Sequence, residues 1–213
     1  MRAITQADID VLMQSSREVF VKIQLLSAQG QVLDELQGDV IDGDVSIDAE
    51  SDIRRTCNLD LYVKDRSLFV GEKRKVWLDK MIRLYYGIRH QRTQEILWYP
   101  LGVYLFNEQS YEYSSVTHTL SVSCADRMSR LTGLRSGQIG GVPTEIPAGS
   151  PIRSSMISAV TQLGGVRDYL IEDIGKEVPY DLSFPTGASV YDIVVKLRDL
   201  YPGWETFFDL DGT

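Results

Sequence analysis

The chain has 213 residues, with 22 Lys and Arg against 30 Asp and Glu, and carries a net charge of -8. At roughly 150 residues per domain that length makes one large domain or two small ones. The acid excess disfavours tight nucleic-acid binding, which needs basic side chains to displace counterions. No apolar run approaches the roughly 20 residues that cross a bilayer. The opening MRAITQADIDVLMQ lacks the apolar core of a secretory signal, so folding in a bacterial or host cytosol is expected.

The first element in chain order is a short helix, Gln6 to Gln14. Thr5 stands at its N-cap and Asp8 three residues on, and Ile9, Leu12 and Met13 are its expected apolar stripe. Val21, Ile23 and Leu25 then oppose Phe20, Lys22 and Gln24. Gln29-Gly30 turns the chain, and Val32 to Leu36 returns as the second arm of a hairpin. An acidic strand follows, with Val45, Ile47 and Ala49 on its apolar parity and Asp44, Ser46, Asp48 and Glu50 on the other. After a short turn comes Ile53 to Val63, where Cys57, Leu59, Leu61 and Val63 alternate with polar residues, the pattern of a half-buried strand. The short turn makes these two antiparallel neighbours.

Lys64 to Lys75 is polar, basic and reads as a loop. Strand patterns resume over Met81–Arg89 and Ile96–Phe106, the latter interrupted by Pro100, which marks an edge or bulge. Tyr111–Ser115 and Thr119–Ala125 form a last pair. About eight strands with hairpin-sized gaps fit an antiparallel β-barrel or sandwich.

The composition changes after residue 126. Asp126 caps a short helix over Arg127 to Leu131, and residues 133–150, rich in Gly and Pro, read as a linker. A helix then starts at Ser150-Pro151, with Ile152, Met156, Ile157, Val160 and Leu163 on one face, and ends at Gly164-Gly165. Tyr169–Ile174 and Tyr180–Phe184 are a candidate strand pair. Ser189 caps a second helix carrying Val190, Ile193, Val194, Leu197 and Leu200, and Trp204 to Leu210 is a last strand. Asp209-Leu210-Asp211-Gly212 reads as a hairpin turn without a return strand, so the chain is expected to be cut from a longer polypeptide. The expected organisation is α+β: a β-domain over residues 1–132, a linker over 133–150, and a smaller α+β domain over 151–213, incomplete at its C-terminus.

No catalytic motif stands out. His90 and His118 lie beside turns with no nucleophile motif nearby. Asp42, Asp44, Asp48, Glu50 and Asp52 invite calcium, but the EF-hand spacing fails. The same acids form either a solvated face or a negative surface toward a channel or basic partner, with no basic residue between Lys22 and Arg54. Cys57 and Cys124 sit on apolar strand parities and are expected as buried free thiols rather than a disulfide or zinc site. Gly137, Gly140 and Gly141 lack the context of a phosphate cradle. Trp98, Tyr99 and Tyr104, with Tyr111 and Tyr113, either stack sugars or fill a β-core and its rim. The expectation is a non-enzyme without cofactor or metal.

Several segments, in order, carry a family resemblance: Ser46–Ala49 leading into Asp52–Thr56, then Trp98-Tyr99-Pro100-Leu101-Gly102-Val103-Tyr104, Leu120–Asp126, Gly149-Ser150-Pro151-Ile152 and Val178-Pro179-Tyr180-Asp181. Over about residues 4 to 212 the chain resembles the N-terminal part of tailed-phage and prophage minor structural proteins, the baseplate-hub or tail-associated family. That resemblance implies a tail-tube-like barrel or sandwich followed by an α+β domain. It also implies a homo-oligomeric ring, usually of three subunits, docked on the tail tube and the distal tail protein. The virion tail is then its location, with no membrane partner. Asp42, Asp44, Asp48 and Glu50 would face a channel past which DNA slides without specific binding, since like charges repel across the Debye length of about 8 to 10 Å. The alternative is a carbohydrate-binding module of the tail, using Trp98, Tyr99 and Tyr104 in host-wall recognition.

Overall fold

The structure, a computed structural model, describes residues 4–37, 40–63, 68–69, 71–113 and 118–213. Of the expected basic loop at 64–75, residues 64–67 and 70 lie outside the described residues. The chain forms two compact units. The first is Met1–Ser46 with Thr56–Cys124, and the second is Ile47–Arg55 with Ala125–Thr213.

In the first unit, a helix α1 (Gln6–Leu12) precedes seven strands: β1 (Val19–Leu26), β2 (Val32–Gln37), β3 (Val40–Ile47), β4 (Arg55–Tyr62), β5 (Met81–Arg89), β6 (Ile96–Tyr113) and β7 (His118–Asp126). They form one sheet in the order β2-β1-β5-β6-β7-β4-β3. The β1–β2, β1–β5 and β5–β6 ladders are antiparallel. The turn at Gly30 (φ 80°) closes the first hairpin as its sequence predicts.

Inward side chains from nearly every strand merge into one core: Ile23 from β1, Leu84 from β5, Tyr104 and Phe106 from β6, Leu120 and Val122 from β7, Cys57 and Leu59 from β4. Ile23 of β1 and Leu59 of β4 border the same small cavity, although three strands stand between β1 and β4 in the sheet. On a flat sheet these strands would lie about 19 Å apart. The sheet is therefore rolled around its apolar face. The ladder itself ends at β2 on one side and β3 on the other, so among the described residues the expected barrel or sandwich takes the form of one open, rolled antiparallel sheet.

Pro100 does not end a strand. β6 runs unbroken from Ile96 to Tyr113, where two strands were expected. The interruption is absorbed by a bulge: Leu84 pairs with Gly102 and Tyr85 with Pro100, which skips Leu101. Gly102 has φ 141°, and a Cβ there would lie 3.0 Å from the Tyr104 hydroxyl. The Tyr104 hydroxyl in turn donates to the Leu101 carbonyl at 2.9 Å, satisfying the acceptor that the bulge displaces.

The second unit holds β8 (Thr144–Ile146) paired antiparallel with β9 (Leu182–Phe184). It also holds α2 (Ile152–Ser158), which continues as a π-turn over Ala159–Leu163, and α3 (Val190–Asp199). Its core joins Ile139, Ile146, Ile152, Phe184, Ile193 and Leu197. Residues 133–150 are thus not a linker: they supply a strand and two buried isoleucines. The periodicity there was hidden because the apolar residues are few and spaced by Gly and Pro. The β-strand expected over 169–174 does not form, and β9 pairs with β8 instead. Trp204–Leu210 lies outside any ladder. The Ser189 capping box is present, with Asp192 N–H donating to Ser189 Oγ at 3.0 Å and Ser189 N–H to Asp192 Oδ2 at 2.7 Å. Among the described residues no helix is long and apolar enough to cross a membrane.

Candidate functional site

The acidic residues occupy two different places. Asp42 and Asp44 are exposed on β3, an end strand of the rolled sheet. Asp44 accepts from Asn58 Nδ2 of neighbouring β4 at 3.1 Å, and Asp42 caps the Gly43 N–H at 2.8 Å. Gly43 is required there, because a Cβ would meet the Asn58 carbonyl and the Leu59 side chain at 2.8 Å. Asp48 and Glu50 belong to the Ile47–Arg55 segment of the second unit, where Asp48 Oδ1 accepts from Glu50 N–H at 2.9 Å. The clean alternation read from the sequence breaks at Gly43. Val40 and Val45 pack inward while Ile41 and Ile47, the latter expected to be buried, are exposed. Charge on an end strand discourages unwanted edge-to-edge pairing. No group of three or more His, Cys, Asp or Glu suited to a metal ion occurs among the described residues.

The aromatic trio is divided among different surroundings. Tyr104 is 0% exposed, at the heart of the first core. The Tyr99 hydroxyl donates to Asp8 Oδ1 at 2.9 Å. Trp98 covers Gly87, where a Cβ would lie 2.6 Å from its ring, and the Lys22 ammonium sits 4.5 Å from the ring centre. Each ring has a structural neighbour, and Tyr104 is the one that fills the core.

Helix α1 faces the opposite way from expectation. Asp8 and Val11 are buried, whereas Ile9, Leu12 and Met13 are exposed. The cause is Asp8, which serves two partner residues at once: it accepts from the Thr5 N–H and the Thr5 hydroxyl, each at 2.8 Å, and from the Tyr99 hydroxyl. A buried carboxylate with three donors is satisfied, so the helix turns it toward the sheet. A capping position does not announce burial, and the sequence carried no signal for this role.

The second unit holds a buried polar centre that sequence reading missed. Asp126 is 3% exposed and accepts from Met128 N–H at 2.9 Å and from Arg55 N–H at 3.2 Å. Burial pushes its carboxyl above the ordinary value despite these donors. Arg127, 5% exposed, donates to the Gly212 carbonyl and lies 3.5 Å from Asp168 Oδ2. Burial and the nearby Arg130 lower its pKa. Arg54 pairs with Glu205 at 3.1 Å, and Arg55 donates to the Phe208 carbonyl. Three arginines thereby hold the 205–212 segment, which takes the place of the strand expected there.

These features define an α+β protein made of a rolled antiparallel sheet and a smaller helix-and-hairpin unit, with acids on a sheet edge. Its fold is shared with two solved tail proteins. One is the 43 kDa tail protein of prophage MuSo2 from Shewanella oneidensis, at 13% identity and a TM-score of 0.51, covering 84% of this chain and 47% of that one. The other is the tail protein from Neisseria meningitidis MC58, at 10% identity and a TM-score of 0.50, covering 84% of this chain and 44% of that one. The chain thus spans less than half the length of either structure. No protein-family model matches the chain, and no curated protein matches it.

Proposed function

We propose that this chain is a structural component of a phage or prophage tail, placed at the tail tip as part of a baseplate hub. The observation that carries this reading is the fold shared with two tail proteins over 84% of the chain. The order of sequence segments that resembles the hub family supports the tip position. In this reading the rolled sheet is the tube-like unit. Copies of it form a closed ring, usually three, through a heterologous interface. The ring docks on the tail tube and the distal tail protein, and the chain acts as scaffold rather than catalyst. Asp42 and Asp44, exposed on β3, supply the negative wall past which DNA moves without binding.

Gold-labelled antibody against this protein, viewed by electron microscopy on intact tails, tests the placement. Label at the tip is expected, and label along the shaft or on the capsid overturns it. Reversing both charges with Asp42→Lys and Asp44→Lys tests the wall: tails still assemble, and DNA leaves the particle more slowly. An unchanged ejection rate removes the acids from the channel.

A further inference from the structure

Cys57 on β4 and Cys124 on β7 are both unpaired as disulfides, 0% and 1% exposed, and on strands that neighbour one another in the sheet. Their register follows from two contacts along the same pair of strands. Val63 N–H donates to the His118 carbonyl at 2.9 Å, and Ser121 Oγ donates to Asp60 Oδ1. Residues 63 and 118, and residues 60 and 121, are thus opposite; counting along both strands with the same sum places 57 opposite 124. Both side chains are buried and belong to the same apolar core, so the register sets the two thiols side by side. The backbone bond at Val63 makes 63/118 a hydrogen-bonded pair, and every second position shares that character, so 57/124 is one as well.

In such a pair the Cα atoms stand about 5.5 Å apart, inside the range a disulfide spans. The Cβ atoms of a directly opposed pair stand about 4.5 to 5.5 Å apart, against about 3.8 Å in a disulfide, so the strands must pinch together to bridge. The thiol of Cys57 is held protonated by the Cys124 partner, by burial and by nearby charge. A protonated buried thiol neither attacks nor is attacked readily. The pair is poised in geometry and restrained in chemistry.

We propose that Cys57 and Cys124 are a latent oxidation site, which closes as a cross-strand disulfide pinning β4 to β7 when the sheet opens transiently in oxidising surroundings. With oxidised glutathione as the oxidant, one thiolate attacks its disulfide and releases one reduced glutathione. The second thiolate then displaces the other from the mixed disulfide. Two thiols lose two protons and two electrons, and one glutathione disulfide becomes two thiols. The bond locks two strands of the sheet across a long loop of chain, which constrains the unfolded state. The inference does not depend on the tail reading.

The test uses the full chain. It is incubated with oxidised glutathione, with and without a sub-denaturing concentration of urea, then quenched, unfolded and titrated for thiols, with intact mass and thermal melting measured alongside. Two thiols are expected before treatment and none after, with a mass lower by the two hydrogens, faster loss in urea, and a melting midpoint raised by several degrees. Cys124→Ser serves as control and is expected to yield a glutathione adduct instead of a bridge. Two persistent thiols in urea, two glutathione adducts, or bridges between chains overturn the proposal. A bridged chain that melts no higher than the reduced one overturns the lock.

Discussion

Single residues decide several local outcomes. Gly102 sits at φ 141° against the Tyr104 ring, a conformation and a space that suit no side chain. Gly102→Ala is expected to cost roughly 1 to 3 kcal/mol, read as a lower urea midpoint at unchanged slope. Asp126 has a pKa raised by burial, so the folded state holds its proton more tightly than the unfolded chain. The sign follows: stability is greatest below the ordinary Asp value and falls as pH rises through the raised folded value. Asp126→Asn removes that titration while keeping an oxygen for the Met128 N–H. Urea midpoints measured across the acid range should then fall less with rising pH in the variant than in the parent, and parallel curves would contradict the burial argument.

At the scale of elements, capping chemistry was legible in both capped helices, whereas facing was legible in α3, whose Val190, Ile193, Val194 and Leu197 are buried, and not in α1. Thr5 with Asp8 and Ser189 with Asp192 form the capping boxes their spacing predicts. Thr5→Ala and Ser189→Ala are each expected to cost about 1 kcal/mol in thermal or chemical unfolding. The stripe of α1 was read the wrong way round, because Ile9, Leu12 and Met13 make the apolar pattern but Asp8 holds the partners. Replacing each of these three with Ser should change stability by about 0.5 kcal/mol or less, whereas Val11→Ala should cost roughly 2 kcal/mol. An equal loss at Leu12 would show that the stripe is covered. Pro100 was a correct signal for a bulge and a misleading one for an edge, since β6 lies between β5 and β7 in the sheet.

For the whole molecule, the decisive feature is that the second unit draws on two separate parts of the chain. The segment Ile47–Arg55 leaves the sheet between β3 and β4 and belongs to the unit that also contains Ala125–Thr213. Ile53 packs against a core that includes Ile139 and Ile146. A fragment of residues 151–213, the domain expected from composition, lacks all three. It should be unfolded, with collapsed amide dispersion in its proton–nitrogen NMR spectrum; a dispersed spectrum would show that those residues are dispensable.

The alternation of β4 and β7, the two capped helices and the buried thiols follow from the sequence alone, because alternation and capping are local properties of neighbouring residues. Which strand meets which, the path of residues 47–55, the inward turn of Asp8 and the pairing of Cys57 with Cys124 were settled by tertiary structure. They depend on contacts between residues dozens of positions apart, and no local pattern encodes the free energy of a buried polar group finding its partner.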